Sequence, residues 1–149
     1  MGTTYERSEA IRLLNERLQG IGTAMLTTME PDGSLLSRPM VAQKLPFDGE
    51  LWFLARSNSR LVWDVQRHTR VSLNYVAPTG DQFLAVSGVA HVVRDRMKAS
   101  QLWAEPYDSW FAGGVDDPDL VLIRVSVDSA QAWGFTPGVT ERFEALATR

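Results

Sequence analysis

The run Ser37-Arg38-Pro39-Met40-Val41-Ala42-Gln43 sets an arginine beside a proline in a stretch that otherwise reads as a β-strand. Proline deletes one ladder hydrogen bond, so this strand belongs at a sheet edge or carries a bulge. Arginine presents a rigid fork of donors suited to a phosphate or a ring carbonyl. On this run alone, a plain surface arginine on an edge strand explains Arg38 equally well. A second run, Leu54-Ala55-Arg56-Ser57-Asn58-Ser59-Arg60, passes from a strand into a helix start. Unpaired N–H groups and the helix dipole favour an anion there, and Arg56, Ser57, Ser59 and Arg60 add cationic and hydroxyl donors. Ordinary capping by Asn58 or Ser59, with two solvated arginines, is the competing explanation. The third signal is aromatic. The chain has five tryptophans, and Trp103, Trp110 and Trp133 lie in its C-terminal half. Core or subunit interface is the commoner use of any single tryptophan, but a planar ring with a phosphate tail would employ all three features together.

These residues need elements to hold them. Apolar Ala10, Ile11, Leu14 and Leu18 share one face of a helix predicted over 6–18, which Gly20 and Gly22 end. Strands are expected at 23–29, 35–43, 50–55, 71–76, 83–93, 120–127 and 130–135. The turns Pro31-Asp32-Gly33, Pro46-Phe47-Asp48-Gly49 and Pro78-Thr79-Gly80-Asp81 separate several of them. The long strand 83–93 should bend at Gly88. Helices are expected near 59–67 and 95–104. Many short strands with hairpin turns indicate a mainly β fold, an antiparallel sheet closed into a barrel with flanking helices.

Much chemistry is absent from the sequence. It has no cysteine, hence no disulfide or thiolate site, which suits a reducing cytoplasmic setting. The two histidines, His68 and His91, stand in no metal-ligand spacing, so no metal site is expected. Hydrolase elbow, dinucleotide fingerprint and P-loop are all missing. Asp116, Asp117 and Asp119 around Pro118 read as a solvated turn. A formal net charge of −3 argues against a general nucleic-acid binder. No stretch has the length and apolarity of a membrane span, and the amino terminus lacks the apolar run of a signal peptide. Length fits a single domain over residues 1–149.

From about residue 6 to 135 the chain resembles the general stress protein branch of the pyridoxamine 5′-phosphate oxidase-like, FMN-binding split-barrel proteins. The resemblance rests on an ordered series. It runs from the N-terminal helix through Pro31-Asp32-Gly33, Ser37-Arg38-Pro39-Met40 and Leu51-Trp52-Phe53-Leu54 to Ser59-Arg60 at a helix start. Val71-Ser72-Leu73-Asn74-Tyr75 and Val86-Ser87-Gly88-Val89-Ala90 follow. It implies a homodimer with FMN, or FAD as the alternative, in grooves between subunits. Arg38, Pro39, Met40, Val41 and Gln43 would then line the flavin, with Leu54 and Ala55 beside its ring or ribityl chain. Ser59 and Arg60 would hold the phosphate, Gln82 would contact the flavin, and Trp133 would reach it from the partner subunit. The substrate-binding Arg-x-His pair of the oxidases themselves has no counterpart, because no histidine follows His91. That argues against pyridoxal phosphate synthesis.

Two functions fit this set. One is a flavin-dependent oxidoreductase, with the cofactor carrying the redox chemistry and no residue assigned as catalytic acid or base. The other is a non-catalytic flavin-binding stress protein acting as sensor, carrier or buffer. A nucleic-acid-binding barrel, or haem or deazaflavin on the same fold, are further alternatives.

Overall fold

The computed structural model describes residues 2–147; Met1, Thr148 and Arg149 lie outside them. A short strand, β1 (Gly2–Thr4), leads into helix α1 (Arg7–Leu18). Ala10, Leu13 and Leu14 of α1 are buried, and Ile11 and Leu18 pack at the core margin. Arg12 faces solvent between Glu9 and Glu16. Gly20, at φ +78°, turns the chain out of the helix, a conformation that costs glycine little.

The predicted hairpin forms as β2 (Thr23–Met29) and β3 (Leu35–Val41). Its turn is closed by the Gly33 N–H donating to the Glu30 carbonyl at 2.9 Å, with Asp32 accepting from Ser34. Pro39 stands opposite Met25, and β3 ends the sheet, as a proline inside a strand requires. The strand stops at Val41, two residues short of the expectation. Next come β4 (Glu50–Arg56), α2 (Arg60–Arg67), β5 (Arg70–Val76) and β6 (Phe83–Val93). After them stand α3 (Arg96–Leu102), α4 (Glu105–Trp110), a single turn of 3₁₀ helix (Gly114–Asp116), β7 (Leu120–Thr136) and β8 (Val139–Phe143).

One correction concerns β7. The two strands expected at 120–127 and 130–135 are one strand of 17 residues. The polar pair Asp128-Ser129 reads as a break, but β7 absorbs it as a bulge. Ser87 faces Ser129 while Gly88 faces Val127, leaving Asp128 as the extra residue. The bend predicted at Gly88 is this bulge. A side chain there would put a Cβ 2.5 Å from the Ser126 carbonyl oxygen, so only glycine fits. The helix expected over 95–104 is shorter, with Asp95 as its cap accepting from the Lys98 N–H at 3.0 Å. The short elements β1, α4 and the 3₁₀ turn have no period long enough to read in the sequence.

The fold is mainly β, an antiparallel split barrel with flanking helices. The sheet runs β1-β8-β7-β6-β5-β2-β3, with β1 parallel to β8. β7 is its spine: β6 lines one edge, while β4 takes the first half of the other edge and β8 the second half. This division explains β4. Leu51, Phe53 and Ala55 face the main core, whereas Trp52 and Leu54 face a second cluster with Ala99, Leu102, Tyr107 and Phe111. Buried on both faces, β4 reads as an unbroken apolar run instead of an alternation. Each large side chain so buried contributes about 1.5–3 kcal/mol before chain entropy is counted.

Candidate functional site

The ends of β3 and β4 border a groove of about 330 Å³. Pro39, Met40 and Val41 form one wall and Phe53 and Leu54 the other, with Thr23 beside them. Tyr107 and Trp110 of α4 close it over. Tyr107 is buried, and burial pushes its phenol above the ordinary value, so it stays neutral. Trp110 meets Tyr107 edge-on at 5.5 Å between ring centroids and remains 45% exposed, a flat face open to solvent. The short helix α4 is strapped down by Arg56. Its guanidinium lies 5.1 Å over the Phe111 ring, bonds Asp119 at 3.0 Å and donates to the Trp110 carbonyl. Ser57 bonds Asp119 as well, at 2.8 Å. Arg56 and Ser57 therefore hold the roof of the groove.

Arg38 lies two residues before Met40 on the same face of β3, about 7 Å along the strand. Its guanidinium is mostly covered and reaches Thr28 Oγ1 at 2.8 Å and Asp64 Oδ2 at 3.3 Å. Asp64 is fully buried on the apolar face of α2 and takes a second arginine, Arg60, at 3.0 Å on its other oxygen. Arg60 also bonds Glu30 at 2.7 Å and lies 4.6 Å over the Trp63 ring. The Glu30 bond leads the interactions that hold the Arg60 guanidinium more firmly charged. Ser59 caps α2, its hydroxyl accepting from the Val62 N–H at 3.3 Å. An apolar slot thus adjoins a pair of arginines drawn from different elements. Apolar walls with a few placed polar groups suit a flat aromatic ring, and the arginines suit an anionic tail.

The remaining candidates fall elsewhere. Gln43 braces the split, accepting from the Trp52 N–H of β4 at 2.7 Å and donating to the Leu45 carbonyl at 3.0 Å. Ala55 points into the main core. Gln82 sits in the β5–β6 turn, where its carbonyl accepts from the Ala77 N–H. Trp133 is on β7, four strands from β3. It opens a row on the outer sheet face. Trp133 faces Phe83, Phe83 faces Val76, and Thr23 faces Val41, with Ala24 paired to Tyr75 linking the two halves. Val76, Phe83 and Trp133 are exposed apolar residues in this row, and the four strand intervals from β7 to β3 span about 19 Å. Trp133 does not line the groove of its own protomer. Parallel to that row runs a ladder of hydroxyls, Ser37, Thr27, Ser72, Ser87 and Ser129, each opposite the next across the sheet.

Among the described residues no group of three or more histidine, cysteine or carboxylate side chains could hold a metal, and no helix is long and apolar enough to cross a membrane. His68 caps the end of α2, and His91 is exposed beside Arg124.

A model of the pyridoxamine 5′-phosphate oxidase like family matches residues 9–146. The chain belongs to that family. A structure of the general stress FMN/FAD binding protein from Xanthomonas citri is 27% identical. It covers 88% of this chain and 92% of its own, with a TM-score of 0.71. A Clostridium acetobutylicum protein related to general stress protein 26 of Bacillus subtilis is 18% identical and shares the fold. It covers 94% of this chain and 96% of its own, with a TM-score of 0.74. Protein bli-3 of Neurospora crassa is 27% identical over 117 residues, 72% of this chain. The match spans only 56% of the fungal protein's length.

Among the site residues that the sequence alone does not single out are Phe53, Tyr107, Asp64 and Glu30. Asp64 had a legible signal. It falls on the face of α2 occupied by Leu61 and Val65, and a carboxylate there needs a cation, which Arg60 supplies from one turn earlier. Glu30 had none, because its partner is remote in sequence.

Proposed function

We propose that this chain binds a phosphorylated flavin, FMN with FAD as the alternative, in the groove between β3, β4 and α4. The carrying observation is the juxtaposition of the apolar slot, lined by Pro39, Met40, Val41 and Leu54, with Arg38 and Arg60. The ring would lie against Leu54 and Met40 beneath Trp110, and Ser59 and Arg60 would hold the phosphate. A second copy, laid on the outer face along Val76, Phe83 and Trp133, would bring its Trp133 and Gln82 to the same groove and make a homodimer. Exposed apolar residues contiguous across strands mark such an interface. Cysteine-free composition suits work in the cytoplasm.

The flavin, when bound, supplies hydride and electron transfer; the chain supplies placement and exclusion of water. On this reading the protein is a flavin-dependent oxidoreductase of the general stress type. One observation favours a second reading, a flavin carrier or buffer without turnover. Among the described residues, the groove walls hold no acid or base except the neutral, buried Tyr107 phenol. Stopped-flow reduction and reoxidation with NADH, NADPH and candidate acceptors separates the two, since repeated turnover belongs to the enzyme alone.

The binding site is tested by titrating FMN and riboflavin into the wild type and the Ser59→Ala/Arg60→Ala double variant. FMN should weaken at least tenfold more than riboflavin; equal losses would remove the phosphate from this position. Equilibrium sedimentation should show a dimer. A monomer with full FMN affinity would contradict the shared groove.

A further inference from the structure

The phosphate placement above meets an obstacle in the chain itself. Two guanidinium groups, Arg38 and Arg60, face two carboxylates, Asp64 and Glu30, so the cluster is formally neutral. A phosphate that arrives at the Nε/Nη2 edge of Arg60 must displace a carboxylate already bonded there. Asp64 cannot leave: it is fully buried and bonded to Thr28, Arg38 and Arg60. Glu30 can. It stands in the β2–β3 turn, where its backbone is fixed through Gly33 and Ser34, and its side chain, 16% exposed, meets the outer, solvent-exposed guanidinium of Arg60. Its single oxygen Oε2 takes both Arg60 Nε at 3.2 Å and Nη2 at 2.7 Å, the edge a phosphate would use. Arg60 itself is 57% exposed, so that edge is reachable from solvent.

We propose that Glu30 is a specificity-determining residue, an internal competitor that occupies the Arg60 fork and lowers the preference of the site for phosphorylated over unphosphorylated flavin. The inference rests on the flavin reading above. The Nε/Nη2 edge of Arg60 is freed when Glu30 swings aside, and the displaced carboxylate then faces a phosphate dianion across a short gap. Removing its charge should therefore strengthen FMN and leave riboflavin alone.

The test is a double-mutant cycle over Glu30→Gln and Arg60→Ala, read by FMN and riboflavin titration at low salt. Glu30→Ala serves as a second variant, and thermal melting confirms that each is folded. Glu30→Gln should tighten FMN by about threefold to tenfold and change riboflavin by less than about twofold. In the Arg60→Ala background the gain should vanish. Should Arg60→Ala leave the FMN-to-riboflavin ratio at the wild-type value, the phosphate does not sit at Arg60, and both readings fall. Should Arg60→Ala lower that ratio while neither Glu30 variant raises it, the phosphate site stands and the competitor role of Glu30 is overturned.

Discussion

Glu141 on β8 and Asp64 on α2 are both carboxylates with almost no exposure, and both face arginine, yet their surroundings differ in kind. Glu141 is closed. Arg17 grips it with two bonds of 3.0 Å, and Tyr5 donates a third at 3.0 Å. Arg17 lies 5.0 Å over Phe135, and Tyr5 stacks on Phe143. This cluster pins α1 and the chain's start to the last strand. Asp64 is sealed on the inside only. Its outer partner, Arg60, is mostly solvent-exposed and shares its fork with a second carboxylate. Similar chemistry serves architecture at one end of the sheet and leaves an exchangeable cation at the other. The distinguishing quantity is the exposure of the arginine, 18% for Arg17 against 57% for Arg60.

Breaking the closed cluster should have the largest effect. Arg17→Ala strands Glu141 without its cation. The expected cost is about 2–3 kcal/mol, below that of a fully dry pair because Arg17 keeps some water contact. Thermal melting should fall by roughly 8 °C, with flavin affinity unchanged. The same cluster has a pH signature. Burial pushes the Glu141 carboxyl up, but the bonds from Arg17 and Tyr5 outweigh it and hold it below its ordinary 4.5. A depressed folded value means the stabilisation is fully present above that ordinary value and is lost as pH falls through the lower, folded one. Glu141→Gln should therefore flatten the acid limb of a stability-against-pH curve below about pH 5.

Smaller effects belong to the open end. Trp110→Ala removes the exposed roof of the groove and, on the proposed placement, should weaken FMN and riboflavin alike, by about tenfold, because Trp110 would meet the ring and not the phosphate. Arg60→Ala should be smallest in stability, a melting shift of less than about 2 °C, since Asp64 keeps Arg38 as its cation and the pair with Glu30 at the solvent edge contributes little. Its effect on phosphate recognition would then stand apart from folding. A large melting loss at Arg60, or none at Arg17, would erase the distinction between the clusters.

The sequence shows one end of this contrast better than the other. Alternation and turn chemistry expose β2, β3, β5 and β6, and Pro39 by itself marks β3 as an edge. Arg38, Met40, Val41, Leu54 and Arg60 are legible because strand edge, apolar run and helix start sit in consecutive segments. What joins them is not. The Glu30–Arg60 and Arg38–Asp64 contacts cross 30 and 26 residues, and the Arg56–Trp110 bond that straps α4 over the groove spans 54. Ala55 looks like its neighbour Leu54, yet the two-residue period of β4 turns it to the opposite face, into the core. β7 hides its unity because a bulge replaces the break that Asp128-Ser129 suggests.

The seat of the flavin ring can be read directly from the methionine methyl groups. The chain has five methionines, of which Met40 lines the groove and Met97, 73% exposed on α3, does not. In ¹³C-methyl-methionine spectra, adding FMN should shift the Met40 methyl strongly through the ring current and leave Met97 in place. An unmoved Met40 signal in a protein saturated with FMN would show that the ring lies somewhere else.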